Sequence, residues 1–172
     1  MKRNGFKAFN EDYTNRYGMR FEEGKTYRLP DGVPLTKGNR GTGFHYSPYL
    51  EDTLHYVQGL INQIQIARVT ALGDVLTFSD EQNYYGFEDI SATNAIKINH
   101  FMSREEIIDH MLTRPPFAVE RFIGGYKLTE TEIKKIKDVF PCNINIDLAI
   151  EYYQRGDKKV YHKYYENRGR KI

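Results

Sequence analysis

Apolar and polar positions alternate from the start of the chain. Residues 5–9, GFKAF, read as a half-buried strand. A turn-rich polar stretch, EDYTNRYGMRFEEG, follows, and KTYRL (25–29) alternates again until PDGVP stops it. Gly38, Gly41 and Gly43 mark a loop that leads into a strand, GFHYS. Pro48 suits the first position of a helix with Ser47 as its N-cap. Leu50, Leu54, Val57, Leu60 and Ile61 then recur at helical spacing, which predicts an amphipathic helix of about three turns. QIQIARVTAL (63–72) alternates as a strand, Gly73-Asp74 is a turn or bulge, and DVLTF continues as a strand. DEQNYYGFED reads as a loop and NAIKINHF (94–101) as another strand.

The period changes after Phe101. SREEIIDHML opens with a capping-box pair, Ser103 and Glu106, and RPPF ends that helix. LTETEIKKIKDVF repeats the signature with Thr129 and Glu132. One or two more helical turns and a basic tail complete the chain. The expected fold is α+β: a small, twisted, mainly antiparallel sheet with one packed helix over residues 1–101, then a helical extension over 102–172, packed on the same core.

Composition narrows the picture. A hydrophobic fraction of 40% and a charged fraction of 28% in 172 residues suit a globular chain with a real core. The net charge of +2 is too small to indicate a nucleic-acid partner, so any such argument rests on local patches. No apolar run approaches the roughly 20 residues that span a bilayer, and the first residues lack the apolar core of a signal peptide. These features point to a cytoplasmic protein with no membrane partner. The single cysteine, Cys142, excludes an intramolecular disulfide and a multi-cysteine zinc site, and reads as a small buried hydrophobe. The histidines do not fall at metal-ligand spacing with a carboxylate pair, so no metal is expected.

Two places carry candidate chemistry. GNRGTG reads either as a nest of backbone N–H groups for a phosphate, with Arg40 adding charge, or as a flexible loop between strands. It is not a P-loop, because no Lys-Ser/Thr follows the last glycine. Next to it His45 alternates with Phe44 and Tyr46, which makes it a ligand contact, an acid/base or a hydrogen-bonded structural residue. The second place is the tail, DKKVYHKYYENRGRKI. It has six Lys/Arg against two acids, with tyrosines interleaved. Lys158, Lys159, Lys163 and Arg168 would neutralise phosphates while Tyr161 and Tyr164 stack on bases. The same composition suits an acidic protein surface, or simply a solvated helix end.

The order of short motifs resembles an uncharacterised domain of small phage and bacterial proteins. The matching residues are Gly5-Phe6-Lys7, Gly24-Lys25 with Tyr27, Gly43-Phe44-His45, Val69 to Gly73, and Lys97 with Ile98. The resemblance implies a mobile-element context rather than an activity. In arrangement the chain is also similar to the nicotinamide-binding half of ADP-ribosyltransferases. Lys7 stands where the first strand of that fold offers a residue to the dinucleotide, and His45, Tyr46 and Ser47 stand where the second motif ends. The glutamate those enzymes use late in the sheet has no counterpart in NAIKINHF, and Glu88 and Glu120 are poor substitutes.

The expected function is therefore that of a small phage-type accessory protein binding a host or rival protein or nucleic acid, with the tail as the contact, as an anti-defence or host-takeover inhibitor. The alternative is an ADP-ribosyltransferase-like enzyme or nucleotide binder. It would hold NAD or a similar ligand with Lys7, Tyr27, Arg40, His45, Tyr46 and Ser47. No catalytic residue is assigned, and no cofactor is expected outside that alternative.

Overall fold

The computed structural model describes residues 3–38, 41–56, 64–79 and 89–167. Its contacts divide the chain into two compact units, Met1–Ser103 and Arg104–Ile172. The fold is α+β: antiparallel sheets in the first unit and helices in the second.

The first unit contains β1 (Asn4–Phe9), β2 (Thr26–Arg28), β3 (Phe44–Tyr46), β4 (Gln65–Ala71), β5 (Val75–Ser79), β6 (Asp89–Thr93) and β7 (Ala95–Phe101). These strands form two sheets, ordered β1-β4-β7-β2 and β3-β6-β5. The pairings are antiparallel. The two sheets meet where Phe6 and Ser47 exchange backbone hydrogen bonds of 2.7 and 2.9 Å. That meeting explains the glycine before Phe6. A Cβ on Gly5 would stand 2.3 Å from the Ser47 carbonyl oxygen, so no other residue fits without moving a strand.

Strand β1 is buried on both faces, where the sequence suggested only one. Phe6 and Ala8 are buried on one side. Phe9, on the other, joins a core of Phe21, Phe44, Tyr46, Ala67, Val69, Ala71, Ile96 and Ile98. Side chains alternate along a strand, so Lys7 shares its face with Phe9.

Two expectations in this unit are corrected. Over the described residues the helix expected from Pro48 is a 3-10 segment, Glu51–Tyr56, packed on β1, and the expected positions Val57, Leu60 and Ile61 lie outside the described residues. Ser47 does not cap it. Its hydroxyl donates to the Asp89 carbonyl at 2.7 Å and accepts from the Tyr49 N–H at 3.0 Å, closing a local turn. Strand β6 was missed altogether. It is buried from Ile90 to Thr93 between β3 and β5, and its small residues, DISAT, show no clear alternation. The loop expected over residues 80–89 lies almost wholly outside the described residues.

The second unit contains α1 (Arg104–Leu112), α2 (Pro116–Gly125), α3 (Glu130–Val139), α4 (Ile144–Ala149) and α5 (Tyr161–Asn167). Helix α2 was also missed: RPPF ends α1, but Pro116 begins the next helix, where its missing N–H costs nothing. The Thr129/Glu132 capping box at α3 is present as expected. Arg104 ties three helices together. It donates to both Glu132 oxygens, at 3.0 and 2.7 Å, and to the Lys127 carbonyl at 2.8 Å, and its guanidinium lies 5.0 Å over the Tyr126 ring. A π-helical turn, Ile150–Gln154, extends α4. Cys142 is exposed rather than buried, because the turn after Pro141 gives it a φ of 57°. Among the described residues, no helix is long and apolar enough to cross a membrane.

Candidate functional site

The cleft described for the first unit forms where β1, the loop after it and β3 come together. Lys7, Asn10, Asn15, Arg16, Tyr17 and His45 provide its polar and aromatic lining, with Gly43 at its edge. It is open and holds only about 50 Å³, space for a few water molecules or one phosphate-sized group. The side chains described in its lining include Lys, Arg and His but no Asp or Glu.

Lys7 is the unusual member. Its position in the strand directs it toward the core, where a charge is costly. The ammonium donates to the His45 carbonyl at 2.9 Å and lies 5.4 Å from the Phe9 ring centre and 6.0 Å from that of Phe21. A carbonyl and two ring faces favour a cation, but none supplies a full negative charge. Burial, and then the nearby Arg16 cation, bring the Lys7 pKa down to about 8. His45 is moved further. Burial, then Lys7 and Arg16, lower its pKa to about 4, opposed by a hydrogen bond with the Gly38 backbone. At neutral pH its imidazole is neutral and Lys7 is largely protonated, so Lys7 and Arg16 supply the positive charge of the cleft.

The loop after β1 is held by its own hydrogen bonds. Asn10 N–H donates to the Thr14 carbonyl, Asn15 N–H to that of Met19, and Phe21 N–H to that of Tyr13, each at 2.9 Å. The Asn15 side chain accepts from the N–H groups of Tyr17 and Met19 at 2.9 and 3.0 Å. Phe21 anchors the end of the loop in the core, 5.0 Å from Phe9. Arg16 and Tyr17 are therefore presented by an ordered turn. Gly43, opposite, has φ +137° and only 2.9 Å between an added Cβ and the Ala92 Cβ, so this corner also requires glycine.

The structure gathers only part of the ligand-binding set read from the sequence. Lys7 and His45 line one cleft. Ser47 is fully buried and joins the two sheets, and Tyr46 is buried in the core. Tyr27 lies outside the cleft's described lining, with its ring 4.6 Å from Phe21 and its hydroxyl accepting from the Glu22 N–H at 2.8 Å. Arg40 lies outside the described residues. Two of the amides expected in a phosphate nest are already used: Gly41 N–H donates to the Gly38 carbonyl at 2.9 Å and Thr42 N–H to the Thr36 hydroxyl at 2.6 Å, while residues 39 and 40 lie outside the described residues. Conversely, the sequence reads as turn-rich over residues 11–24, and neither Asn10 just before that stretch nor Asn15, Arg16 and Tyr17 within it is among the expected site residues. The available signal was a basic–aromatic pair, Arg16-Tyr17, inside an otherwise polar turn.

In the second unit Lys158, Lys159 and Lys163 are exposed, and Arg168 lies outside the described residues. The tyrosines between them turn inward. Tyr164 is fully buried, with its hydroxyl donating to Glu120 at 2.8 Å. Tyr161 is half-buried against Tyr165, their ring centres 4.6 Å apart, and Tyr152 stacks on Tyr164. Glu120 thus belongs to the core of the helical unit. Among the described residues, no group of three His, Cys, Asp or Glu side chains converges to hold a metal.

Comparison with curated proteins and with solved structures gives no match. The family model of a domain of unknown function (DUF7666) matches residues 4–110, all seven described strands of the sheet unit and most of α1. That is more than half of the chain, and the protein belongs to this family.

Proposed function

We propose that the sheet unit is a binding domain that captures an anionic group, a phosphate or a carboxylate, in the Lys7–Arg16–His45 cleft. It would serve a small accessory protein of phage or bacterial type that acts by binding a host or rival macromolecule or its ligand. The observation that carries this reading is Lys7: an ammonium on the core-facing side of a strand, beside a second cation, in a cleft whose described lining offers no carboxylate. Holding that charge there costs stability, and an incoming anion would offset the cost. The NAD-enzyme alternative has less support. Lys7 and His45 share the cleft, but Ser47 and Tyr46 are buried in the core, and no carboxylate is described at the cleft to steady a ribose.

The test is a calorimetric titration of the intact protein with pyrophosphate. The wild type should bind, and Lys7→Met should lose at least 10-fold in affinity while its melting temperature is maintained or raised, because an unbranched apolar side chain replaces a desolvated charge. Unchanged affinity in Lys7→Met, or no pyrophosphate binding by the wild type, would refute the reading.

A second reading concerns the helical unit. Its exposed Lys158, Lys159 and Lys163 favour contact with an acidic surface through charge, while the burial of Tyr164 and Tyr165 argues against base stacking there.

A further inference from the structure

The cleft is small and open. About 50 Å³ accommodates one anionic head group, so the remainder of any larger molecule must lie on the rim. Tyr17 stands on that rim and is 72% exposed, although it is a large aromatic ring. It is not a loose surface residue. Its N–H donates to the Asn15 side chain, a second bond from Gly18 N–H to the Asn15 carbonyl closes the turn at 3.0 Å, and the Arg16 guanidinium lies 5.0 Å from the ring centre. One face of the ring is thus backed by a cation, and the high exposure leaves the rest open to a flat partner.

We propose that Tyr17 is the base-stacking platform of a nucleotide site, with the phosphate of the nucleotide in the Lys7–Arg16 cleft and its base on the open face of the ring. This rests on the anion-binding reading above and names its ligand class. A nucleotide joins the two features the rim and the cleft require, an anionic end and a flat ring. The ordered loop presents the tyrosine before binding, so little ordering entropy is lost when the base arrives. Stacking on an aromatic side chain tolerates any base, so a preference for nucleotides over other phosphates is expected, without strong discrimination among bases.

The experiment compares AMP, ribose 5-phosphate and pyrophosphate by calorimetry on the intact protein, its Tyr17→Ala variant and its Tyr17→Phe variant. Wild type should bind AMP about 5- to 150-fold more tightly than ribose 5-phosphate, the range that one base–aromatic stack spans. Tyr17→Ala should erase that difference, and Tyr17→Phe, which keeps the ring beside Arg16, should restore it. Equal wild-type affinities for AMP and ribose 5-phosphate would overturn the stacking role while leaving the anion cleft intact. So would a difference that survives in Tyr17→Ala. Failure of all three ligands to bind would overturn the anion reading, and this inference with it.

Discussion

At the scale of single residues, two side chains set the pH behaviour of the cleft. The Lys7 pKa, brought down to about 8, lies below its ordinary 10.5. Anion affinity should therefore fall as pH rises through about 8, where the ammonium loses its proton. Stability should move the other way. Between about pH 8 and 10.5 the unfolded chain binds more protons at this lysine than the folded one, so its contribution to stability rises with pH. His45 works in the acid range. Its folded pKa of about 4 lies below the ordinary 6.5, so its contribution to stability is lost as pH drops from 6.5 toward 4. Thermal melts across pH 4 to 9 should show a shallower acid-side decline in His45→Asn than in the wild type. An identical decline would show that other groups govern it. The pyrophosphate affinity, followed over the same pH series, should show its midpoint near the Lys7 pKa.

The elements position these residues through a few close approaches. Gly5 allows β1 to meet the carbonyl of Ser47, and the same meeting sets Lys7 within reach of the His45 carbonyl. Gly5→Ala should cost about 1–3 kcal/mol, the usual cost of overpacking. It should also weaken anion binding, because β1 must move away from β3. A chemical-denaturation curve and one pyrophosphate titration check both outcomes, and a variant with normal binding would show that the cleft tolerates the shift. In the helical unit, the Gln154 side chain takes over backbone pairing where helical bonding ends. Its Nε2 donates to the carbonyls of Ile123 and Tyr126 and its Oε1 accepts from the Leu128 N–H at 3.0 Å. The elements with a clear period or cap were legible in the sequence: β1, β4, β7 and α3. Those lacking a period were not. DISAT is buried from its second residue onward and does not alternate, and α2 is opened by a proline that reads equally as a breaker.

For the whole molecule, the two units call for different experiments. Cutting the chain near Gly156 would remove Tyr164 and Tyr165 from the core of the helical unit, so truncation would confound unfolding with loss of contact. Replacing Lys158, Lys159 and Lys163 with alanine avoids this, since all three are exposed. If the helical unit contacts duplex nucleic acid, the log–log salt dependence should flatten by up to about 2.7, at about 0.9 per phosphate contact. An acidic protein partner should instead show slower association with little change in dissociation. No change in either measurement would exclude these lysines as the contact. By itself the sequence determined the fold class, the glycine-dependent motifs and most strands, because side-chain period and backbone freedom are local properties. It also singled out Lys7 and His45, which line one cleft, although it grouped them with Tyr46 and Ser47, which the structure buries. Only the tertiary structure decided which polar residues share a site. The cleft joins a strand residue, a loop beginning at residue 10 and a second strand more than thirty residues on, and whether a tyrosine lies buried like Tyr164 or exposed like Tyr17 depends on which distant elements cover it.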